Sequence, residues 1–201
     1  MTRKVMILCG NPHWSLVAIK LPPCENVRVD YAVWSEGAPS PATLAGYDAV
    51  LSLHWPAILP AEVVDNVPCY NLHPGFLPSG RGWHPVTWAI YEEGYAGATL
   101  HRMDAQVDHG PIIARDLTPI RSDDTAAKLL IRVRALEEAL LKAHWPEIAT
   151  GRLDNRELSP QVEEFARTKT KADLARLVPP HLLLATGDDG DRLGQGVDSP
   201  A

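Results

Sequence analysis

Apolar residues in this chain come in short bursts that stop at glycine, proline or histidine, the rhythm of buried strands running into loops. Val5 to Leu8 is a continuous apolar run ended by Gly10-Asn11-Pro12. Val27 to Trp34 predicts a second strand, with Tyr31 and Val33 among its β-favouring side chains. Asp48 to Leu53 predicts a third, ending at His54-Trp55-Pro56, and Val67 to Leu72 a fourth, ending at His73-Pro74-Gly75. The loop from Pro74 to Trp83 is too rich in glycine and proline for regular structure. Pro85 suits the first turn of a helix over Val86 to Glu93, stopped by Gly94. Ala98 to Met103 and Ile112 to Leu117 predict two further strands around a tight turn at Asp108-His109-Gly110-Pro111.

Beyond them, Ser122-Asp123-Asp124-Thr125 offers capping side chains to a long helix with Leu129, Leu130, Val133, Leu136 and Leu140 at helical spacing, ended by Pro146. A second amphipathic stretch, Val162 to Leu177, precedes Pro179-Pro180. From about Gly187 the chain is Gly/Asp-rich and is expected to be a disordered tail. The pattern predicts an α/β, Rossmann-like fold with a mostly parallel sheet. Its first half is abbreviated: the crossover through Asn11-Pro12-His13-Trp14-Ser15 is short, and the helix between the second and third strands is missing or reduced to a stub. The expected division is a main domain over 1–150, a helical extension over 151–186 that could serve as a dimer contact, and the tail over 187–201. In such sheets ligands gather at the carboxyl ends of the strands.

Composition narrows the classes. With a net charge of −6 and no basic stripe, the chain does not read as a nucleic-acid-binding module. Cys9, Cys24 and Cys69 share no close spacing, which argues against a disulfide framework and a cysteine zinc site and fits reduced thiols in a cytoplasm. The charged start before Val5 has the look of a leader, but the apolar run is short and Asn11-Pro12-His13 ends it without a small-residue cleavage site. No stretch of about 18 apolar residues is present, so no membrane span is expected.

The chemistry concentrates between Asn71 and Pro111. Asn71 and His73 stand two apart at a strand end, so both point to one side of an extended chain. An amide that donates beside an imidazole that can carry a proton suits a developing oxyanion. Asp108, in the later turn, could orient and charge that imidazole. Taken singly, each also has a plain structural reading: a turn cap for Asn71, a strand-end histidine for His73, an Asx turn for Asp108.

Longer motifs carry more. Asn71-Leu72-His73-Pro74-Gly75-Phe76-Leu77-Pro78, Arg81-Gly82, Trp88-Ala89-Ile90, Gly97-Ala98-Thr99-Leu100-His101 and Val107-Asp108-His109-Gly110-Pro111-Ile112-Ile113 resemble, in order, the formyltransferases that use 10-formyltetrahydrofolate. The resemblance runs from about residue 48 to residue 145 and implies that Asn71, His73 and Asp108 are catalytic. Within the family the chain is most similar to sugar N-formyltransferases acting on nucleotide-linked 4-amino-4,6-dideoxy sugars. Gly75 stands where other branches usually carry Ser, and Arg81-Gly82-Trp83-His84-Pro85, Ser52-Leu53-His54 and Thr168-Lys169-Thr170-Lys171-Ala172-Asp173-Leu174 match that branch.

The resemblance implies a folate donor lying along His54, Trp55, Ile58 and Leu59 and the turn Val107, Gly110 and Pro111, with no metal. Asp104, His101 and His109 near Asp108 invite a metal reading that such a family does not need. On the acceptor side it points to Gly10, Asn11, Gly75, Arg81 and Trp83, and to a cytoplasmic homodimer. Ile58 and Leu59 are as readily core packing, Arg81 as readily a salt bridge, Trp83 a loop pin. Two other functions stay open: formylation of another small amine, such as a natural-product or siderophore precursor, and a non-catalytic folate-binding remnant suggested by the short first half.

Overall fold

The computed structural model describes residues 1–92, 94–166, 168–170 and 172–173. The tail expected from Gly187 lies outside these residues. In chain order the elements are β1 (Arg3–Cys9), α1 (Pro12–Ala18), β2 (Val27–Val33), α2 (Pro41–Leu44), β3 (Ala49–Leu53), α3 (Ala61–Val64), β4 (Cys69–His73), β5 (Arg81–Gly82), α4 (Pro85–Glu92), β6 (Tyr95–Arg102), β7 (Ile112–Pro119), α5 (Ala126–Thr150) and β8 (Thr168–Lys169). The main sheet has six strands in the order β2-β1-β3-β4-β6-β7. The first four are parallel; β6 and β7 return antiparallel.

The continuous apolar runs of β1 and β3 follow from burial on both faces of the sheet. Val5, Ile7 and Cys9 share one core with Trp14 of α1 and with Leu141, Trp145 and Ile148 of α5. Met6, Leu8 and Val50 face the other way, onto Leu44 of α2 and Val63 of α3. Of the helices over this second face, α2 is the stub expected between the second and third strands, with four residues, and α3 has four as well.

Two expectations are corrected. Pro146 does not end α5, which continues to Thr150. Its missing N–H costs one helical bond, but Trp145 before it and Ile148 and Ala149 after it are buried in the same core. The helix stops where Gly151 takes a left-handed conformation (φ 78°) and the N–H groups of Gly151 and Arg152 bond the Ile148 and Glu147 carbonyls. The amphipathic stretch Val162 to Leu177 is not one continuous helix over its described residues, of which only Ala172 and Asp173 are α-helical. Glu163–Phe165 is a single 3-10 turn, and Thr168–Lys169 is a strand paired in parallel with β5. Contacts to the loop at 81–83 hold this segment extended, and tertiary pairing overrides its helical pattern. Among the described residues no helix is long and apolar enough to cross a membrane.

Candidate active site

Sheet register builds the site. Ser52 of β3 is the neighbour of Asn71 in β4, and Asn71 is the neighbour of His101 in β6. Residues in one register row point to one face, so a hydroxyl, an amide and an imidazole stand side by side on the sheet. Ser52 Oγ donates to Asn71 Oδ1 at 2.8 Å. That turns the Asn71 amide nitrogen the other way, where it donates to Asp108 Oδ1 at 3.3 Å and lies 3.2 Å from His101 Nε2.

His73, at the end of β4, is buried, and its Nε2 lies 2.7 Å from the Gly80 carbonyl. A carbonyl only accepts, so Nε2 carries a proton and donates it there. The ring then presents Nδ1 to Asp108 Oδ2 at 3.6 Å. The bond to Gly80 exists because residue 75 has no side chain: a Cβ on Gly75 would sit 2.5 Å from His73 Nε2 and 2.6 Å from the Gly80 oxygen. Gly75→Ser is therefore expected to displace the imidazole. Displacements of about 1 Å in a catalytic group lower turnover by up to about a hundredfold. A Gly75→Ser variant that turned over like the wild type would show that the ring's orientation is immaterial.

Asp108 occupies a left-handed backbone position (φ 50°), one that aspartate tolerates better than most residues. Its Oδ2 accepts the Gly82 N–H at 2.9 Å, and its Oδ1 lies 3.6 Å from His101 Nε2. Burial pushes the carboxyl up, but the charge of His73, the hydrogen bond and charge of His101 and the Gly82 N–H outweigh it, and the group stays well below the usual carboxylate range.

These residues floor a cleft of about 290 Å³ at the carboxyl ends of β3 and β4. Of the residues singled out from sequence, His54, Trp55, Ile58, Leu59, Asn71, His73, Trp83, Val107 and Asp108 line it. Ile58 stands at its rim, 74% exposed, while Leu59 is buried in the core beneath. Gly10, Asn11, Gly75, Arg81, Gly110 and Pro111 lie outside the lining. Asn11 caps α1, and Gly10 donates its N–H to the Leu53 carbonyl. Arg81 is neither in the cleft nor on the surface. It is buried, with its guanidinium on Gln161 and Glu163.

The sequence reading missed Ser52 and His101 as neighbours of Asn71, and missed Glu137 and Gln161 altogether. Glu137 of α5 is fully buried with its Oε1 2.7 Å from His54 Nε2, and the His54 ring packs on Trp14. The residues of the metal reading separate: His101 faces Asp108, whereas His109 pairs with Asp104 at 2.5 Å. Among the described residues no three His, Cys, Asp or Glu side chains converge as a metal site.

An amide donor, an imidazole and a charged carboxylate converging at the floor of a half-apolar cleft can stabilise an oxyanion and move a proton. The chain matches the family described as formyl transferase over residues 41–144. It is 41% identical over 105 residues to a dTDP-4-amino-4,6-dideoxyglucose formyltransferase of Mycobacterium tuberculosis, covering 52% of this chain and 45% of that protein. The chain thus spans less than half the length of that curated relative. A sugar N-formyltransferase from Shewanella superposes with a TM-score of 0.74 at 27% identity, over 88% of this chain and 80% of that one. The formyltransferase PseJ from Anoxybacillus kamchatkensis, solved with UDP-4,6-dideoxy-4-formamido-L-AltNAc and tetrahydrofolate, shares the fold. Its TM-score is 0.71 at 22% identity, over 93% of this chain and 94% of that one.

Proposed function

The chain belongs to the formyl transferase family, and from that premise we propose that it transfers the formyl group of 10-formyltetrahydrofolate to the amine of a nucleotide-linked amino sugar. The observation that carries this reading is the convergence of Asn71, His73 and Asp108 at the floor of one cleft. The cleft fits a folate head: Trp55 and Ile58 offer apolar walls, and the polar groups lie at its floor. PseJ, alike in fold, was solved with tetrahydrofolate, which supports the same donor here. The 41% identical relative acts, by its name, on a dTDP-linked 4-amino sugar, which supports that acceptor class.

In the proposed reaction the neutral amine of the acceptor attacks the formyl carbon. The bond from that carbon to the donor nitrogen breaks, leaving tetrahydrofolate. Negative charge grows on the formyl oxygen, where the Asn71 amide and the protonated His73 ring receive it. Asp108, ionised and facing Nδ1 of His73, accepts the proton that the attacking amine loses, and that proton passes to the donor nitrogen as its bond to the formyl carbon breaks. The same proposal has the protein working as a homodimer in a cytoplasm, the latter supported by unpaired, widely spaced cysteines.

The decisive assay is tetrahydrofolate release from 10-formyltetrahydrofolate on addition of dTDP-4-amino-4,6-dideoxyglucose. Release without dependence on any amino-sugar nucleotide, but with another amine, would move the acceptor class. Folate binding with no turnover across both panels would instead establish a binding remnant, a reading that draws on the four-residue helices of the first half.

A pH dependence follows from Asp108. Its folded-state carboxyl titrates below the unfolded value of about 3.9, so its contribution to stability is fully present above that value. It is lost as pH falls through the lower folded value. The stability gap between wild type and Asp108→Asn, measured by denaturant unfolding, is expected to persist from pH 7 down to about 4 and to narrow below. A gap that closed near neutrality would contradict the depressed carboxyl.

A further inference from the structure

The segment after α5 returns as a strap that pairs with the loop at 81–83. Lys169 pairs with Gly82 in the β5–β8 ladder, and Trp83 N–H donates to the Lys169 carbonyl at 3.0 Å. The approach is close: a Cβ on Gly82, whose φ is 89°, would lie 2.2 Å from the Lys169 oxygen.

At the start of the strap, Gln161 is turned inward and only 7% exposed. Its amide nitrogen donates to the backbone carbonyls of Asp108 at 2.9 Å and Gly110 at 2.7 Å. Its amide oxygen accepts from Arg81 Nε at 3.1 Å and Nη2 at 2.8 Å. The second pair matters to the first, because Gly82, next to Arg81, is the residue whose N–H holds Asp108 Oδ2 at 2.9 Å. One side chain thus grips the Asp108 turn by its carbonyls and, through Arg81, the loop that grips the Asp108 carboxylate.

We propose that Gln161 is a positioning residue for the formyl-transfer site, holding the strained Asp108 turn so that its carboxylate faces His73 and Asn71. The inference rests on the proposed formyl transfer for its kinetic consequence, but its geometric content stands apart. Gln161 touches neither the cleft nor any reacting atom; its work is done through Asp108. A segment with an amphipathic pattern that suggested a dimer contact therefore begins with a residue that completes the site of its own chain.

The test compares wild type with Gln161→Met, neutral and of similar length but without donors or a comparable acceptor. Turnover is expected to fall about tenfold while the KM for the folate donor stays within about twofold, because the donor's walls are untouched. Independently of activity, the Asp108 carboxyl followed by carbon NMR is expected to titrate at higher pH in the variant, having drawn away from the Gly82 N–H and the imidazoles. Should the methionine variant fail to fold, Gln161→Asn, one methylene shorter and still polar, is expected to give the same two changes. Unchanged turnover with an unchanged Asp108 titration would overturn the proposal. So would lower turnover with an unchanged titration, which would mean that Gln161 acts elsewhere. A wild type without formyl transfer, but with an Asp108 titration that moves in the variant, would leave the positioning role standing and remove the proposed function.

Discussion

Asn71→Ala is expected to lower turnover by about a hundred- to thousandfold, the usual cost of one lost oxyanion donor. The size follows from how the amide is held. Ser52 takes its oxygen at 2.8 Å, and Asp108 takes one of its amide hydrogens at 3.3 Å. The group therefore needs no reorganisation when charge develops. Single-turnover measurement with saturating folate isolates the chemical step, and the KM for the donor is expected to change little. Folding should be unaffected in the main, since Asn71 is only half-buried at the end of a strand whose other residues fill the core. A variant with near-wild-type turnover would remove Asn71 from the mechanism and with it the strongest link between the cleft and formyl transfer.

Glu137→Ala carries the largest expected loss of stability. Its carboxylate is fully buried and hydrogen-bonded to His54, whose side chain is itself 9% exposed. Removing one partner of a buried hydrogen bond typically costs about 1–3 kcal/mol, because the other is left buried and unsatisfied. For a domain of this size that corresponds to a fall in Tm on the order of 5 °C. His54 lines the cleft, so the donor's KM is expected to rise as well. Replacing both members, as in His54→Leu with Glu137→Leu, should cost less than the single change, since no polar group remains to be satisfied. If Glu137→Ala unfolded with the wild-type Tm, the pair would have no part in fixing the loop that starts at His54.

Much of this was legible in residue order. The runs at Val5 to Leu8 and Asp48 to Leu53 became β1 and β3, buried from Val5 to Cys9 and from Ala49 to Leu53 as their lack of alternation required. The stub expected between the second and third strands is α2. Asn71 and His73 fell on one side of one strand because extended chain has a period of two, an argument that needs no partner strand. Other features were visible but unread. A carboxylate at 137, four residues after Val133 and four before Leu141, interrupts an otherwise apolar helical stripe. That interruption was the signal for a buried partner, and nothing local said the partner was His54, 83 residues away.

Pro146 shows the opposite case. Local chemistry argued for a helix end, and burial of Trp145 and Ile148 in a common core carried α5 through it. Arg81 shows a third: a guanidinium in a glycine-rich loop suggested a ligand contact, but Gln161 and Glu163 occupy it. An arginine's partners are set by what the fold brings within reach, and here that is a segment 80 residues later.

What the sequence determined by itself was therefore periodic or local: which runs are buried, where strands stop, and which residues could carry acid–base chemistry. Asn71 and His73 needed only the geometry of one strand. Tertiary structure alone decided which of those residues meet. Asp108 reaches them because β6 and β7 fold back antiparallel and deliver the turn between them to the end of β4. Ser52 and His101 join through strand register, and Gln161 through a strap that crosses from the far end of the chain. The reason is physical. Side-chain periodicity is a property of a few consecutive residues, whereas register and strap are set by which buried surfaces find each other.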